Sequence, residues 1–137
     1  MKDKRMIQVI CRLMWLGLFI IPLGMCSQTP ADVLKELKKQ NIKYPKIVLA
    51  QSILETGWYE CTKCSRSVNN LFGLWDSRNK KYFEYDSWQE SITGYYRGIQ
   101  YKFDDTKYSD YYDFLIKIGY ATDKDYISKL KSIIEKL

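Results

Sequence analysis

Ala50-Gln51-Ser52-Ile53-Leu54-Glu55-Thr56-Gly57-Trp58 decides how this chain is read. Its apolar side chains recur at helical spacing, Gly57 supplies a stop, and one acid, Glu55, sits just short of the end. A glutamate set among Ile53, Leu54 and Trp58 loses water and tends to keep its proton. That is the state a general acid needs when it protonates a glycosidic oxygen. Helix stability alone would not select the position, because a negative charge at a helix C-terminus opposes the macrodipole at a cost of roughly 0.3–1 kcal/mol.

Upstream, Thr29-Pro30-Ala31-Asp32 predicts a helix start, with Thr29 as cap, Pro30 in the first turn and Asp32 at the positive end of the dipole. Val33, Leu34 and Leu37 form its apolar face. Gln40 to Tyr44 breaks that helix and Pro45 opens the next. There Ile47, Ala50 and Leu54 share one stripe, and Val48, Gln51, Ser52 and Glu55 share the adjacent one, so Glu55 lies at a border between core and cleft.

Downstream, the polar stretch from Tyr59 to Asn70 predicts a loop. Leu71 to Trp75 and Lys81 to Tyr85, around the turn from Asp76 to Lys80, predict at most a small hairpin. Ser87-Trp88-Gln89-Glu90 is a capping box that starts a third helix, with Ile92, Tyr95, Tyr96 and Ile99 inside. Ser109 is expected to cap a fourth, which ends at Gly119, and Thr122 to Asp125 opens a fifth that runs to the end of the chain with Tyr126, Ile127, Leu130, Ile133 and Ile134 as its core positions. The reading is a mainly α, small domain of about five helices, in one unit over residues 28–137.

Residues 1–27 read as a signal peptide: Lys2, Lys4 and Arg5 precede an apolar run from Leu13 to Met25 that is short for a membrane span. Export to the periplasm or cell envelope follows, either as a secreted protein or with Cys26 as a lipid anchor. Removing the leader's four bases and one acid lowers the net charge from +6 to about +3. That balance suits mild attraction to an anionic polymer, and it is not the footprint of a nucleic-acid binder.

Beyond the leader two cysteines remain, Cys61 and Cys64, which in an exported protein are expected to form a short disulfide pinning the loop. The chain has no histidine. Ser-His-Asp and Cys-His nucleophile systems and His-ligated zinc hydrolases each need an imidazole, so those classes are excluded. No metal and no cofactor is expected, and the hydrolytic chemistry left is that of carboxylates.

Four motifs occur in one order: Ala50 to Trp58; Asn69-Asn70-Leu71-Phe72-Gly73; Tyr85-Asp86-Ser87 with Glu90-Ser91-Ile92; and Gly119-Tyr120-Ala121-Thr122-Asp123 with Tyr126. The series resembles the mannosyl-glycoprotein endo-β-N-acetylglucosaminidase-like domains of glycoside hydrolase family 73, over nearly all of the chain after the leader. The resemblance implies a lysozyme-like α fold, hydrolysis of the β-1,4 bond after N-acetylglucosamine, and peptidoglycan glycan strands as the partner of a monomer. It places Glu55 as catalytic acid and Tyr120 with its hydroxyl on the reacting sugar, and makes Asn70, Phe72 and Gly73, which lead into the cleft wall, substrate-binding residues. Gln51 is expected to help orient Glu55, and Trp58 and Trp75 to stack on sugar faces.

Larger members of that family carry an inserted β-lobe between Gly73 and Tyr85, where a second carboxylate is often placed. Here the interval is short and its acids are Asp76 and Glu84. Two other activities share these features: a lytic transglycosylase, which forms a 1,6-anhydro end, and a silent module that binds peptidoglycan without cutting it.

Overall fold

The computed structural model describes residues 28–137. The leader predicted over residues 1–27, with Cys26, lies outside them. Five α-helices occur among the described residues: α1 (Pro30–Lys39), α2 (Pro45–Thr56), α3 (Trp88–Gly98), α4 (Tyr111–Lys117) and α5 (Tyr126–Ile134). A two-stranded antiparallel hairpin of β1 (Trp75–Asp76) and β2 (Lys81–Tyr82) is the only sheet among them, with Trp75 opposite Tyr82. The mainly α, lysozyme-like reading holds.

Local chemistry sets most of the helix starts. Thr29 caps α1 through a full capping box: its side chain accepts from the Asp32 N–H and Asp32 accepts from the Thr29 N–H. Ser87 accepts from the Glu90 N–H at the start of α3, but the returning Glu90 carboxylate takes the N–H of Asp86. The cap of α4 is Asp110, which accepts from Asp113 at 2.7 Å, one residue later than the expected Ser109. Ser109 instead gives its N–H to the Asp113 side chain.

α2 is the centre of the molecule. Val48, Leu49, Ala50, Gln51, Ser52, Ile53 and Thr56 are all buried, so the helix is enclosed nearly all round and its two expected stripes merge. It packs against both α1 and α5. Burying each large aliphatic side chain contributes ~1.5–3 kcal/mol, and the polar ones are satisfied within the core. Ser52 donates to the Leu49 carbonyl at 2.8 Å and meets the Tyr59 hydroxyl at 2.7 Å, while Thr56 donates to the Ser52 carbonyl. Tyr96, expected inside, lies on the outer face of α3 and is exposed.

The chain enters and leaves α2 through left-handed residues. Tyr44, at φ 54°, turns the backbone into Pro45, and its ring is held by stacking on Tyr111 at 4.9 Å. Gly57 closes the helix at φ 55°, with its N–H on the Ile53 carbonyl. Beyond a 3₁₀ turn at Ser65–Val68, Asn69 ties the chain to the hairpin by donating to the Tyr85 carbonyl at 2.9 Å.

Candidate active site

Glu55 opens onto a cleft of about 600 Å3, bounded by the 72–75 loop, the 119–123 connection between α4 and α5, and Tyr126. Its place at the last turn of α2 leaves the carboxyl half-buried. Burial pushes its pKa above the usual glutamate range, and a hydrogen bond from the Tyr126 hydroxyl opposes that without cancelling it.

Gly73 sits directly against this carboxyl. A β-carbon there would lie 2.9 Å from Glu55 Oε2, closer than side-chain carbons approach an oxygen, and its φ of +62° is one that L-residues rarely adopt. The glycine therefore allows the loop to close on the acid.

The loop itself is built around Asn70, which is 0% exposed. Its amide nitrogen donates to the carbonyls of Leu74 at 2.9 Å and Phe83 at 3.0 Å, and its oxygen accepts from the N–H groups of Phe72 and Leu74. These four bonds occupy the amide's hydrogen-bonding capacity. The expected role of Asn70 at the substrate gives way to that of a clasp joining the loop to the hairpin. Phe72 is buried too, and reaches the cleft only in part.

Tyr120 lines the cleft, and its hydroxyl donates to the Phe72 carbonyl at 2.9 Å. The proton expected to meet the sugar is thus committed to holding the loop that carries Gly73. Burial keeps this hydroxyl protonated.

Gln51 is 0% exposed and does not face the cleft. It lies one layer behind Glu55, where its amide nitrogen donates to the Tyr126 hydroxyl at 3.3 Å and its oxygen accepts from Tyr95 at 2.6 Å. The network runs further inward. Tyr95 and Tyr111 share a bond of 2.8 Å, Gln100 donates to Tyr111 at 3.1 Å, and the Gln100 amide is clamped on both backbone groups of Lys43. Because Tyr95 spends its proton on Gln51, Tyr111 must donate to Tyr95. Every proton in the chain Gln100, Tyr111, Tyr95, Gln51, Tyr126 then points towards the Glu55 carboxyl.

The two expected sugar-stacking tryptophans part company. Trp75 is 52% exposed, lines the cleft and is steadied edge-on by Tyr82 at 5.2 Å. Trp58 is 43% exposed but lies past the end of α2, at φ 58°, and is not among the cleft residues.

The acids of the short interval stay outside the cleft. Asp76 accepts from the backbone of Arg78 and Asn79 in the hairpin turn, and Glu84 pairs with Lys81. Asp123 does line it, but it is paired with Lys129 and accepts from the Asp125 N–H at 2.9 Å, which holds its carboxyl below the usual range. Among the described residues no cluster of three or more His, Cys, Asp or Glu side chains could hold a metal ion.

The expected disulfide is absent: Cys61 and Cys64 are free thiols. The Cys64 Sγ donates to the Cys61 carbonyl at 3.6 Å instead of bonding the facing sulfur.

One family's sequence model, that of mannosyl-glycoprotein endo-beta-N-acetylglucosaminidase, matches residues 31–137. The chain belongs to this family. The match runs from α1 to the last residue, so the five helices and the hairpin together are the glucosaminidase domain, and glycan hydrolysis is the general activity such a domain supports. No curated protein and no solved structure matches the chain.

In this glucosaminidase domain the residue that sequence reasoning underrated is Tyr126. It was expected as a core position of α5, and its ring is indeed buried. Its hydroxyl, however, is the group that touches Glu55. The hint available was a tyrosine, not a phenylalanine, at an interior helical position: a buried hydroxyl needs a partner.

Proposed function

We propose that this domain is an exported peptidoglycan hydrolase that cleaves the β-1,4 bond after N-acetylglucosamine, with Glu55 as general acid. One observation carries the reading: Glu55 lines a cleft of about 600 Å3 in surroundings that favour its protonated form. A carboxyl that holds its proton nearer neutrality donates it efficiently to a departing sugar oxygen.

The other acid lining that cleft, Asp123, is neutralised by Lys129 and spent on the start of α5. This favours a route needing a single enzymatic acid. Glu55 protonates the glycosidic oxygen, the 2-acetamido oxygen of the same sugar attacks C1 as the bond breaks, and water then opens the cyclic intermediate. Retention at C1 follows. Proton NMR of the first-formed product decides: β anomer supports this route, and α anomer would require a water-activating carboxylate set across the cleft.

The same lack of a free second acid favours one alternative, a lytic transglycosylase, in which the 6-hydroxyl replaces water. Mass spectrometry separates the two, since the anhydro product is lighter by one water. The decisive comparison is reducing-end release from purified peptidoglycan by wild type and Glu55→Gln. Release by wild type and its loss in the variant are expected; equal release would remove Glu55 from the chemistry, and sedimentation with peptidoglycan without release by either would make the domain a binding module.

A further inference from the structure

The segment 57–64 is the covalent link between the helix that carries Glu55 and the loop that closes on it. Three successive residues in it are left-handed: Gly57 at φ 55°, Trp58 at 58° and Tyr59 at 64°. Bulky residues adopt that conformation only where their surroundings hold them there. Here Tyr59 is buried against Ser52, and the N–H of Cys61 reaches back to the Thr56 carbonyl at 3.1 Å. Cys61 and Cys64 follow at once, spaced as Cys-Thr-Lys-Cys, with both side chains partly exposed and the Cys64 Sγ turned back onto the Cys61 carbonyl at 3.6 Å. The Arg66 guanidinium lies beside them, with Nη1 on the Cys61 carbonyl at 3.4 Å.

From this geometry we infer that Cys61 and Cys64 form a redox-active dithiol, oxidised reversibly by thiol–disulfide exchange with a disulfide-bearing small molecule or oxidoreductase. Adjacent sulfurs on one tight turn, a guanidinium close by and solvent access are the conditions under which a Cys-x-x-Cys pair exchanges. The asymmetry of the pair assigns the roles. The neighbouring Cys64 side chain, then the backbone N–H groups of Lys63 and Cys64 and, least, the charge of Arg66 hold the Cys61 thiol below the ordinary cysteine range, while burial pushes Cys64 up.

Cys61 thiolate attacks one sulfur of the incoming disulfide and expels the other as a thiolate, leaving a mixed disulfide on Cys61. Cys64, losing its proton, attacks the Cys61 sulfur and expels the second thiolate. Two electrons pass from the protein to the incoming disulfide, and the two protons lost by the cysteines end on its two thiols. The closed ring of four residues pins the far end of the left-handed segment, so the oxidised form holds the link between Glu55 and Gly73 more firmly.

Glutathione disulfide is the probe. After reduction, iodoacetamide at neutral pH should label Cys61 several-fold faster than Cys64 in peptide mass mapping. Equilibration in glutathione buffers should remove two hydrogens reversibly from the intact protein, and oxidation should raise the melting temperature by several degrees. Cys64→Ser should accumulate a Cys61–glutathione adduct, whereas Cys61→Ser reacts about tenfold more slowly. Equal labelling of both thiols, or glutathione adducts on both with no internal disulfide, would overturn the inference. So would a disulfide that dithiothreitol fails to reduce in the folded protein.

Discussion

Gly73 and Glu55 are in such close contact that the loop backbone occupies the space where a side chain would meet the acid, with a hypothetical β-carbon 2.9 Å from Oε2. Gly73→Ala must therefore either push the carboxyl aside or pull the loop back, at a φ unfavourable to alanine. The expected cost is about 1–3 kcal/mol of stability by urea denaturation. Activity should fall more than tenfold, a larger loss than the reduced population of folded protein explains. Unchanged turnover would show that the loop does not set the position of the acid.

Glu55→Gln separates the chemistry of this group from its effect on stability. The pKa of Glu55 is raised in the folded state, so between the unfolded and folded values the folded protein binds more protons than the unfolded chain. Stability is therefore greatest below the unfolded pKa and falls as pH rises through the folded one. Glutamine escapes that loss. Thermal melts of the two proteins should coincide at about pH 4 and diverge in favour of the variant towards pH 7, while hydrolysis drops about 10²- to 10⁴-fold.

Tyr126→Phe removes the hydrogen bond that favours the ionised form of Glu55. The carboxyl then holds its proton to higher pH, and the alkaline limb of the kcat/KM profile should move upward. Gln51 loses the acceptor for its amide, at an expected cost of about 1–3 kcal/mol. A pH profile identical to wild type would mean that Tyr126 does not act on the acid.

Asn70→Ala leaves the backbone of Phe72, Leu74 and Phe83 without the partners that close the loop. The expected loss is on the order of 3 kcal/mol, several unsatisfied buried groups being involved at once. Urea denaturation measures it. A loss below about 1 kcal/mol would indicate that the loop holds its shape without the clasp.

Trp75→Ala tests the exposed ring beside the cleft. An aromatic contact of ~1 kcal/mol predicts a KM for oligosaccharide raised about fivefold with kcat nearly unchanged. The melting temperature should barely move, since half of the side chain already faces solvent.

What the sequence made legible was local. Thr29, Pro45, Ser87 and Gly57 act on neighbours three or four residues away, so the limits of α1, α2 and α3 follow from a short window. Glu55 stood out because its apolar company is within one turn. What stayed hidden depends on partners far along the chain: Asn70 is spent on Phe83, Gln51 on Tyr95 and Tyr126, and Tyr120 on Phe72. In each case the motif marked a polar residue as near the site, and the partner that fixes its side chain lies in another part of the chain. The cap of α4 slipped by one because Ser109 and Asp110 are adjacent and both competent; the stronger acceptor took the N–H.

The row of buried hydroxyls and amides from Gln100 to Glu55 has a dynamic consequence. Gln100 follows α3, Tyr111 opens α4, Tyr95 is on α3, Gln51 on α2 and Tyr126 on α5, so no one of these helices can breathe without releasing a donor in the row. Amide protons in α2, α3, α4 and α5 should then exchange with solvent as one cooperative unit. The domain would lose the aim of its acid only when it opens as a whole.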